Sequence, residues 1–194
     1  MHAVACQRHN LIYLLTLVRD LGVSKAVLEP LVDHWTDDYD WRAQEAFYNE
    51  ALPQYRLAIH GTRMHFVHKR SMAPNAIPIL IAQGWPESFV SVTNIIDSLC
   101  NPVSTPPRGD ENVPSFHVVV PSIPGCGFSD PVAEEGNNIT TTAEAFDALM
   151  KSLGYSRYIA HGTGWYVYRI LDRLRQLMVS QGIQNLPHDR ADAQ

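Results

Sequence analysis

Apolar residues recur three or four positions apart over the first fifty residues of the chain. Between Leu28 and Trp35, and again between Trp41 and Phe47, this spacing places apolar side chains on one face of a helix. The pattern predicts a mainly helical region over residues 1–52.

Beyond residue 52 the pattern changes to short apolar runs separated by turns. Residues 55–59 and 64–67 flank a glycine-bearing turn and predict a β-hairpin. Residues 77–82, 116–120 and 158–160 are further apolar runs of strand length. Amphipathic segments lie between these later runs, which is typical of crossovers that join the strands of a parallel sheet.

Three helices are expected to alternate with these strands. The first presents one apolar face, made by Phe89, Val92, Ile95, Ile96 and Leu99. At the second, Thr141 and Glu144 have the spacing of a capping box, and Gly154 ends the helix. The third follows residue 165 and ends at Gly182.

The sequence therefore predicts an α/β fold, in which a mostly parallel sheet with flanking helices follows the helical N-terminal region. The core spans residues 53–182, and the short polar segment 183–194 is expected to be disordered. Right-handed crossovers place successive strands side by side and bring the turns after the parallel strands to one carboxyl edge. We expect the functional site at that edge.

Composition and charge exclude several classes of protein. The 194 residues are 45% hydrophobic and 18% charged, which is ordinary for a folded domain and unlike a disordered or fibrous chain. A formal net charge of −5 without basic runs argues against a nucleic-acid partner. The apolar run at residues 11–18 is shorter than the roughly 20 residues that a membrane-spanning helix needs.

Cysteine usage and the start of the chain favour a cytoplasmic protein. Cys6, Cys100 and Cys126 are odd in number, and their spacing fits neither a disulfide framework nor a zinc site. The first twenty residues fit the pattern of a signal peptide poorly, since Arg19 and Asp20 follow the apolar run. Reduced thiols in the cytoplasm are the expected state.

Two clusters of ionisable side chains have structural explanations that outweigh a metal site. A histidine run in the hairpin comprises His60, His65 and His68. The last two point to opposite faces of a strand, so a shared metal is not expected. An acidic group before the second helix comprises Asp37, Asp38 and Asp40. Carboxylates favour a helix N-terminus there. No phosphate loop or dinucleotide fingerprint occurs, and no cofactor is expected.

A series of motifs, in order along the chain, resembles the microsomal-type epoxide hydrolases. The motifs are Asp40-Trp41-Arg42, Leu52-Pro53-Gln54-Tyr55, Ile59-His60-Gly61, residues 64–68, Gly84-Trp85-Pro86 and residues 119–129. The early motifs are similar to the N-terminal region of that family, and the later ones to the first part of its α/β-hydrolase fold. The resemblance covers residues 25–170 and implies a partial α/β-hydrolase fold.

The resemblance also implies a reaction and a partner. Members of the family add water to an epoxide and give a vicinal diol through an aspartyl ester, without a cofactor. The implied partner of this chain is therefore a small-molecule epoxide.

The turn after residues 77–82 is implied to contribute to an oxyanion hole. Backbone N–H groups left unpaired at a strand end can point at developing negative charge. The resemblance assigns this role to the amides of Trp85 and Trp165. An ordinary strand-to-helix turn with a buried Trp85 is the alternative, which the sequence leaves open. Gln83 replaces the usual histidine of the family, a change that removes no backbone donor.

The position implied for the nucleophile holds a glycine. The aspartate of the family lies at the centre of a Gly-x-Asp-x-Gly elbow between strand and helix, and residues 162–166 occupy that elbow. Gly164 stands at the centre and has no side chain to attack an epoxide. Thr163 carries a hydroxyl, but the turn aims it differently. Cys126, where the family usually has an aromatic residue, is expected to alter packing rather than to supply a nucleophile.

The other catalytic groups of the family, a histidine, its acidic partner and lid tyrosines, lie after the elbow helix. His188 and Asp189 follow the elbow too closely to replace them and receive no role. One hypothesis is an epoxide hydrolase by family. The other is a catalytically silent remnant or pseudoenzyme that binds an apolar ligand, a homologue or a second copy across an exposed sheet edge. A shortened reading frame, indicated by the divergent segment after about residue 172, is a further hypothesis.

Overall fold

The computed structural model describes residues 22–102, 113–132 and 138–180. Contacts divide the chain into two compact units, Met1–Glu45 and Ala46–Gln194. The domain boundaries expected from the sequence stay a prediction, and segment 183–194, Gly182 and Cys6 lie outside the described residues. No helix in the described ranges has the length and apolarity to span a membrane.

Two helices open the described part of the chain, as the sequence predicts. They are α1 (Lys25–Asp37) and α2 (Trp41–Ala51). The Asp40 carboxylate accepts a hydrogen bond from the Ala43 N–H at 3.0 Å, so it stabilises the N-terminus of α2. The expectation for Asp37 and Asp38 is wrong, because Asp37 is the last residue of α1 and Asp38 caps its C-terminus.

Five strands form one mixed sheet. They are β1 (Gln54–Ile59), β2 (Thr62–Lys69), β3 (Ile77–Ala82), β4 (Phe116–Pro121) and β5 (Ile159–Gly162), in the order β1-β2-β4-β3-β5. The β1–β2 hairpin is antiparallel, and β2 is antiparallel to β4. β3 is parallel to both β4 and β5. The α/β class and the three parallel strands are confirmed.

The strand order differs from the expectation that successive strands lie side by side. β5 pairs with β3 instead of β4, and Ala82 is opposite Gly162 in that pair. After β4 the chain crosses back over β3 to reach its other side. Such a reversal is a topological switch point, and the crevice for ligands in open α/β sheets lies there, at the carboxyl ends of the strands.

Helices cover both faces of the sheet. α4 (Ile139–Ser152) and α5 (Trp165–Ser180) pack on one face. The large buried side chains of this layer are Met64, Leu80, Phe146, Leu149, Met150, Ile170 and Leu174. The opposite face is covered by a 3₁₀ turn (Phe89–Val92), by α3 (Ile96–Cys100) and by Leu52. The alternation of side chains along β3 explains the two layers, since Leu80 and Ala82 face one and Ile79 and Ile81 the other.

The single helix expected around residues 89–99 is wrong, because the chain forms the 3₁₀ turn and the short α3 instead. Thr93 donates both its N–H and its hydroxyl to the Val90 carbonyl, at 3.1 and 2.6 Å. Hydrogen bonds over three residues tighten the chain relative to an α-helix. The tighter winding leaves Ile95 exposed, whereas Val92 and Ile96 are buried.

α4 is present but begins earlier than the capping box expected at Thr141 and Glu144. Asn138 is the N-cap, and its side chain accepts hydrogen bonds from the N–H groups of Thr140 and Thr141. The Thr141 hydroxyl accepts the Asn138 N–H in return. Asparagine is among the preferred N-caps. The expected end is confirmed, because Gly154 follows the helix with φ of 87°.

Candidate functional site

The turn after β3 and the turn after β5 touch each other at the carboxyl edge of the sheet. A β-carbon added to Gly84 would lie 3.1 Å from the carbonyl oxygen of Thr163. A β-carbon added to Gly164 would lie 3.5 Å from the Cα atom of Gly84. The contact follows from the pairing of β3 with β5, and it brings together the two turns that the sequence singles out.

β5, the following turn and α5 have the strand-turn-helix arrangement of an elbow. Gly164 has φ of 88° and lies between Gly162, the last residue of β5, and Trp165, the first residue of α5. A sharp, strained turn of this kind exposes the nucleophile in α/β hydrolases. The elbow backbone is therefore present, but Gly164 brings no nucleophilic group to it. Thr163 is exposed one residue earlier.

Backbone N–H groups flank this contact on both sides. The N–H of Trp85 makes no backbone hydrogen bond in the described part of the chain. Trp165 opens α5, where an N–H has no acceptor within its own helix and lies at the positive end of the helix dipole. The Trp85 side chain is 74% exposed, so the alternative of a buried tryptophan is wrong.

Gln83, which precedes these donors, is the polar residue most deeply enclosed in the turn. Its side chain is only 4% exposed, and its Nε2 atom has no hydrogen-bond partner among the described residues. Burying an amide N–H without an acceptor is unfavourable by about 1–3 kcal/mol. Gln83, which stands where the family usually has a histidine, thus fits into the turn although its Nε2 atom has no hydrogen-bond partner among the described residues.

A cavity of about 360 Å³ lies beside the two turns. Its lining comes from all three parallel-strand turns and consists of Trp85, Ile123, Pro124, Cys126 and Tyr166. Cys126 also packs against the core layer of α4 and α5. The thiol is free and partly buried. Among the described residues the lining contains no carboxylate or histidine, and the cavity is an apolar site with backbone donors nearby.

Tyr166 is a lining residue that the sequence reasoning missed. The elbow motif has a second glycine at its last position, and Tyr166 occupies that position. The replacement of that glycine by tyrosine is visible in the sequence. Whether the tyrosine lines a cavity depends on the pairing of β5 with β3, which the sequence does not show. The tyrosine side chain adds an aromatic wall opposite the loop after β4.

A buried histidine fixes the start of that loop. The Nδ1 atom of His65 is 2.9 Å from the Ser122 hydroxyl, and its Nε2 atom is 3.0 Å from Oε1 of Gln54. Gln54 in turn donates to Asn49, which directs Oε1 at the imidazole. Burial, helped by the Arg56 charge, lowers the pKa of His65 to about 4, so the imidazole is neutral at neutral pH. Its Nε2–H then donates to Gln54 and its Nδ1 accepts from Ser122.

His68 lies on the other face of β2, as its position in the strand predicts. Its Nε2 atom is 3.0 Å from the Tyr155 hydroxyl. Burial, together with the charge of Arg70 and the neighbouring His117, lowers the pKa of His68 to about 4. Within residues 22–102, 113–132 and 138–180, no group of three or more metal-ligating side chains occurs.

Comparison with known proteins places this geometry in a family. The chain matches the family model described as epoxide hydrolase N terminus over residues 11–92. A Stigmatella aurantiaca protein provisionally named an epoxide hydrolase is 41% identical over 144 residues, which cover 74% of this chain and 32% of that protein. Epoxide hydrolase 1 of Oryctolagus cuniculus is 33% identical over 148 residues, with coverage of 74% and 32%. This chain belongs to the epoxide hydrolase family.

Solved structures agree with this assignment. Aspergillus niger epoxide hydrolase superposes with a TM-score of 0.65 at 34% identity, covering 77% of this chain and 37% of that one. Juvenile hormone epoxide hydrolase from the silkworm Bombyx mori gives a TM-score of 0.70 at 25% identity, covering 81% and 40%. The α/β-hydrolase fold expected from the sequence is confirmed. This epoxide hydrolase family chain spans about a third of the length of the curated relatives it matches.

The buried His65 makes the stability of this epoxide hydrolase family chain depend on pH. Because the pKa falls from 6.5 to about 4 on folding, the unfolded chain binds more protons between these values. The free energy of unfolding therefore rises with pH from about 4 to 6.5 and levels off above. We expect His65→Gln to reduce this rise by about 2 kcal/mol, measured by urea unfolding at a series of pH values.

His60→Gln is the matched control, because His60 is exposed in the hairpin turn. The rise that His65 causes is expected to be retained in full in His60→Gln. A rise of the same size in His65→Gln would show that another group is responsible.

Proposed function

We propose that this chain binds an epoxide with an apolar substituent in the cavity beside Trp85 and Tyr166 and does not open it. The observation that supports the proposal is the coincidence of an intact elbow backbone with a glycine at its centre. Binding needs only the apolar walls and hydrogen-bond donors, which the site has. Opening through an aspartyl ester needs a carboxylate, which Gly164 cannot supply.

The ligand class follows from the lining and from the family. A cavity of about 360 Å³ has the size of a small-molecule site. The substituent of the epoxide packs against Ile123, Pro124 and the two aromatic side chains. The ring oxygen accepts hydrogen bonds from the N–H groups of Trp85 and Trp165, the donors that would stabilise an oxyanion in an active relative. The chain thus binds the epoxide but does not form the aspartyl ester that would open it.

The binding proposal is tested by partly filling the cavity. Ile123→Trp introduces a larger side chain where Ile123 now lines the space, so we expect it to weaken styrene oxide binding at least fivefold. Ile123→Leu keeps the same volume and is expected to bind within twofold of the unsubstituted chain. Ligand-observed NMR titration measures both. Equal affinity in all three proteins would show that styrene oxide binds elsewhere.

Two further expectations belong to this proposal. A cytoplasmic location is supported by Cys100 and Cys126, which are both free thiols.

Association with a second copy is supported by β5, which in the described sheet pairs with β3 on one side and with no described strand on the other. An unpaired strand edge offers backbone donors and acceptors to another strand.

A further inference from the structure

The loop that follows β4, residues 122–130, forms one wall of the proposed epoxide cavity. Ile123, Pro124 and Cys126 are three of the five described residues that line the cavity, and we call them the loop wall. Two turns shape this loop. The N–H of Cys126 donates to the Ile123 carbonyl at 2.8 Å, and the N–H of Ser129 donates to the Cys126 carbonyl at 3.1 Å. The position of the loop wall therefore depends on what holds the two ends of the loop.

The Ser129 hydroxyl ties the end of this loop to its start and to β2. It donates to the Ser122 carbonyl at 2.9 Å and accepts the N–H of His65, also at 2.9 Å. Ser122 in turn donates its N–H to the His65 carbonyl at 2.9 Å. Ser129 and His65 are only 7% and 2% exposed, so loss of the hydroxyl would leave the His65 N–H buried without this acceptor. The base of the loop is thus closed by a ring of hydrogen bonds.

Asp130, the next residue, fixes the loop to both strands of the β1–β2 hairpin. Its carboxylate accepts hydrogen bonds from Arg56 Nη2 at 2.5 Å and from Arg63 Nε at 2.7 Å. Its N–H donates to the Arg63 carbonyl at 2.9 Å, and its carbonyl accepts the N–H of Gly125 at 3.1 Å. A hydrogen bond from Arg63, together with the charges of Arg63 and Arg56, holds the pKa of the Asp130 carboxyl below its usual range. One ionised residue thus contacts β1, β2 and the middle of the loop.

The register of the hairpin explains why both arginines reach Asp130. Arg56 is opposite His65, and Arg63 is two residues before His65 in β2. Side chains two positions apart along a strand point to the same face, so these three side chains share the face of the hairpin that the loop contacts. A single exposed ion pair contributes little to stability. Two charge-assisted hydrogen bonds on one carboxylate, supported by backbone hydrogen bonds of the same residue, fix a geometry more firmly.

We infer that Ser129 and Asp130 are positioning residues for the cavity, which hold the loop wall against the β1–β2 hairpin. Neither is among the described residues that line the cavity, so each acts through the loop. Loss of either contact lets the loop wall move away from Trp85 and Tyr166 and weakens the site for an apolar ligand. The inference rests on the proposed function for the identity of the ligand, whereas the restraint on the loop is tested without any ligand.

Two cysteines of the full chain report on the loop and on the core separately. Cys126 is partly buried in the loop wall, and Cys100 is fully buried in the opposite core layer. The rate at which N-ethylmaleimide modifies each thiol is followed by peptide-resolved mass spectrometry. We expect modification of Cys126 to be at least about threefold faster in Ser129→Ala and in Asp130→Ala, because hydrogen bonds that close the loop are lost. The rate at Cys100 should not change, because the core stays folded.

Glu45→Ala is the matched control, because it also removes a carboxylate that pairs with an arginine, Arg42, but does so within α2. It should change neither modification rate. Ligand-observed NMR titration with styrene oxide then measures the site itself in the same proteins. We expect binding to be at least about threefold weaker in Ser129→Ala and in Asp130→Ala than in the unsubstituted chain and in Glu45→Ala.

The two measurements keep the inference separate from the proposed function. If the unsubstituted chain binds no styrene oxide, the proposed function fails, while the modification rates still decide whether the loop is held. An unchanged rate at Cys126 in both variants would overturn the inference. Equal acceleration at Cys100 and Cys126 would also overturn it, because the contacts would then stabilise the whole core. Unchanged affinity for styrene oxide in both variants would show that they do not position the cavity.

Discussion

Substituting aspartate for Gly164 should turn a chain that binds an epoxide into one that carries it as a covalent ester. The elbow presents residue 164 at φ of 88°. A β-carbon there meets Gly84 at an ordinary 3.5 Å, so the added carbon causes no clash and the substitution is opposed only by the positive φ. A carboxylate oxygen attacks an epoxide carbon, the ring C–O bond breaks, and the resulting alkoxide takes a proton from water. Intact-protein mass spectrometry after incubation with styrene oxide should show one adduct per chain.

The ester is expected to accumulate, because the described residues that line the cavity include no histidine or carboxylate to activate water. Gly164→Asn has the same shape and the same backbone strain but is a poor nucleophile, so we expect no adduct. Adduct formation in both variants, or its absence from Gly164→Asp with the protein still folded, would show that residue 164 is not at the nucleophile position.

Gly162→Ala is expected to have the largest effect on stability, lowering the free energy of unfolding by about 3 kcal/mol. The added β-carbon would lie 2.4 Å from Cγ1 of Val167 and 2.6 Å from the carbonyl oxygen of Ala82. The valine can rotate, but the Ala82 carbonyl belongs to β3 and cannot. β5 would have to separate from β3, which would also pull apart the two turns of the site. Urea unfolding monitored by circular dichroism measures the change.

Gly154→Ala is the control for backbone strain without a clash. Gly154 follows α4 at a positive φ of 87°, unlike Gly162 in β5, and a β-carbon there meets nothing within 4 Å. We expect a loss of only about 1 kcal/mol from the unfavourable φ. An equal decrease in the free energy of unfolding in the two variants would mean that residue 162 has room for a β-carbon beside Ala82 and Val167.

Much of this fold was predictable because its signals are local. Short apolar runs mark the buried strands. The alternation of side chains along β3 places Leu80 in one core layer and Ile81 in the other. The position of β5 was not predictable in this way. Its pairing with β3 depends on contacts between segments about eighty residues apart, and no local pattern along Ile159–Gly162 encodes the choice.

The candidate site shows the same division between local and long-range information. The glycine at the centre of the elbow is readable from motif spacing, and the turn has the expected strand-turn-helix form. The cavity could not be predicted from the sequence, because Tyr166 and Ile123 come together only when the three turns converge in the folded chain. The His65–Ser122 hydrogen bond joins residues 57 positions apart. The helix start at Asn138 was missed because Thr141 and Glu144 offered a competing pattern with the right spacing.

The fate of a bound epoxide is the most direct test of a site that binds without opening its ligand. The full chain is incubated with styrene oxide at a concentration that saturates the NMR titration, and the epoxide and diol are then quantified by chromatography. We expect the epoxide to be recovered unchanged, with diol no higher than in buffer alone and no adduct on the protein. Diol that increases in proportion to the protein, and that persists in a Thr163→Ala/Gly164→Ala variant, would contradict this function and place the chemistry away from the elbow.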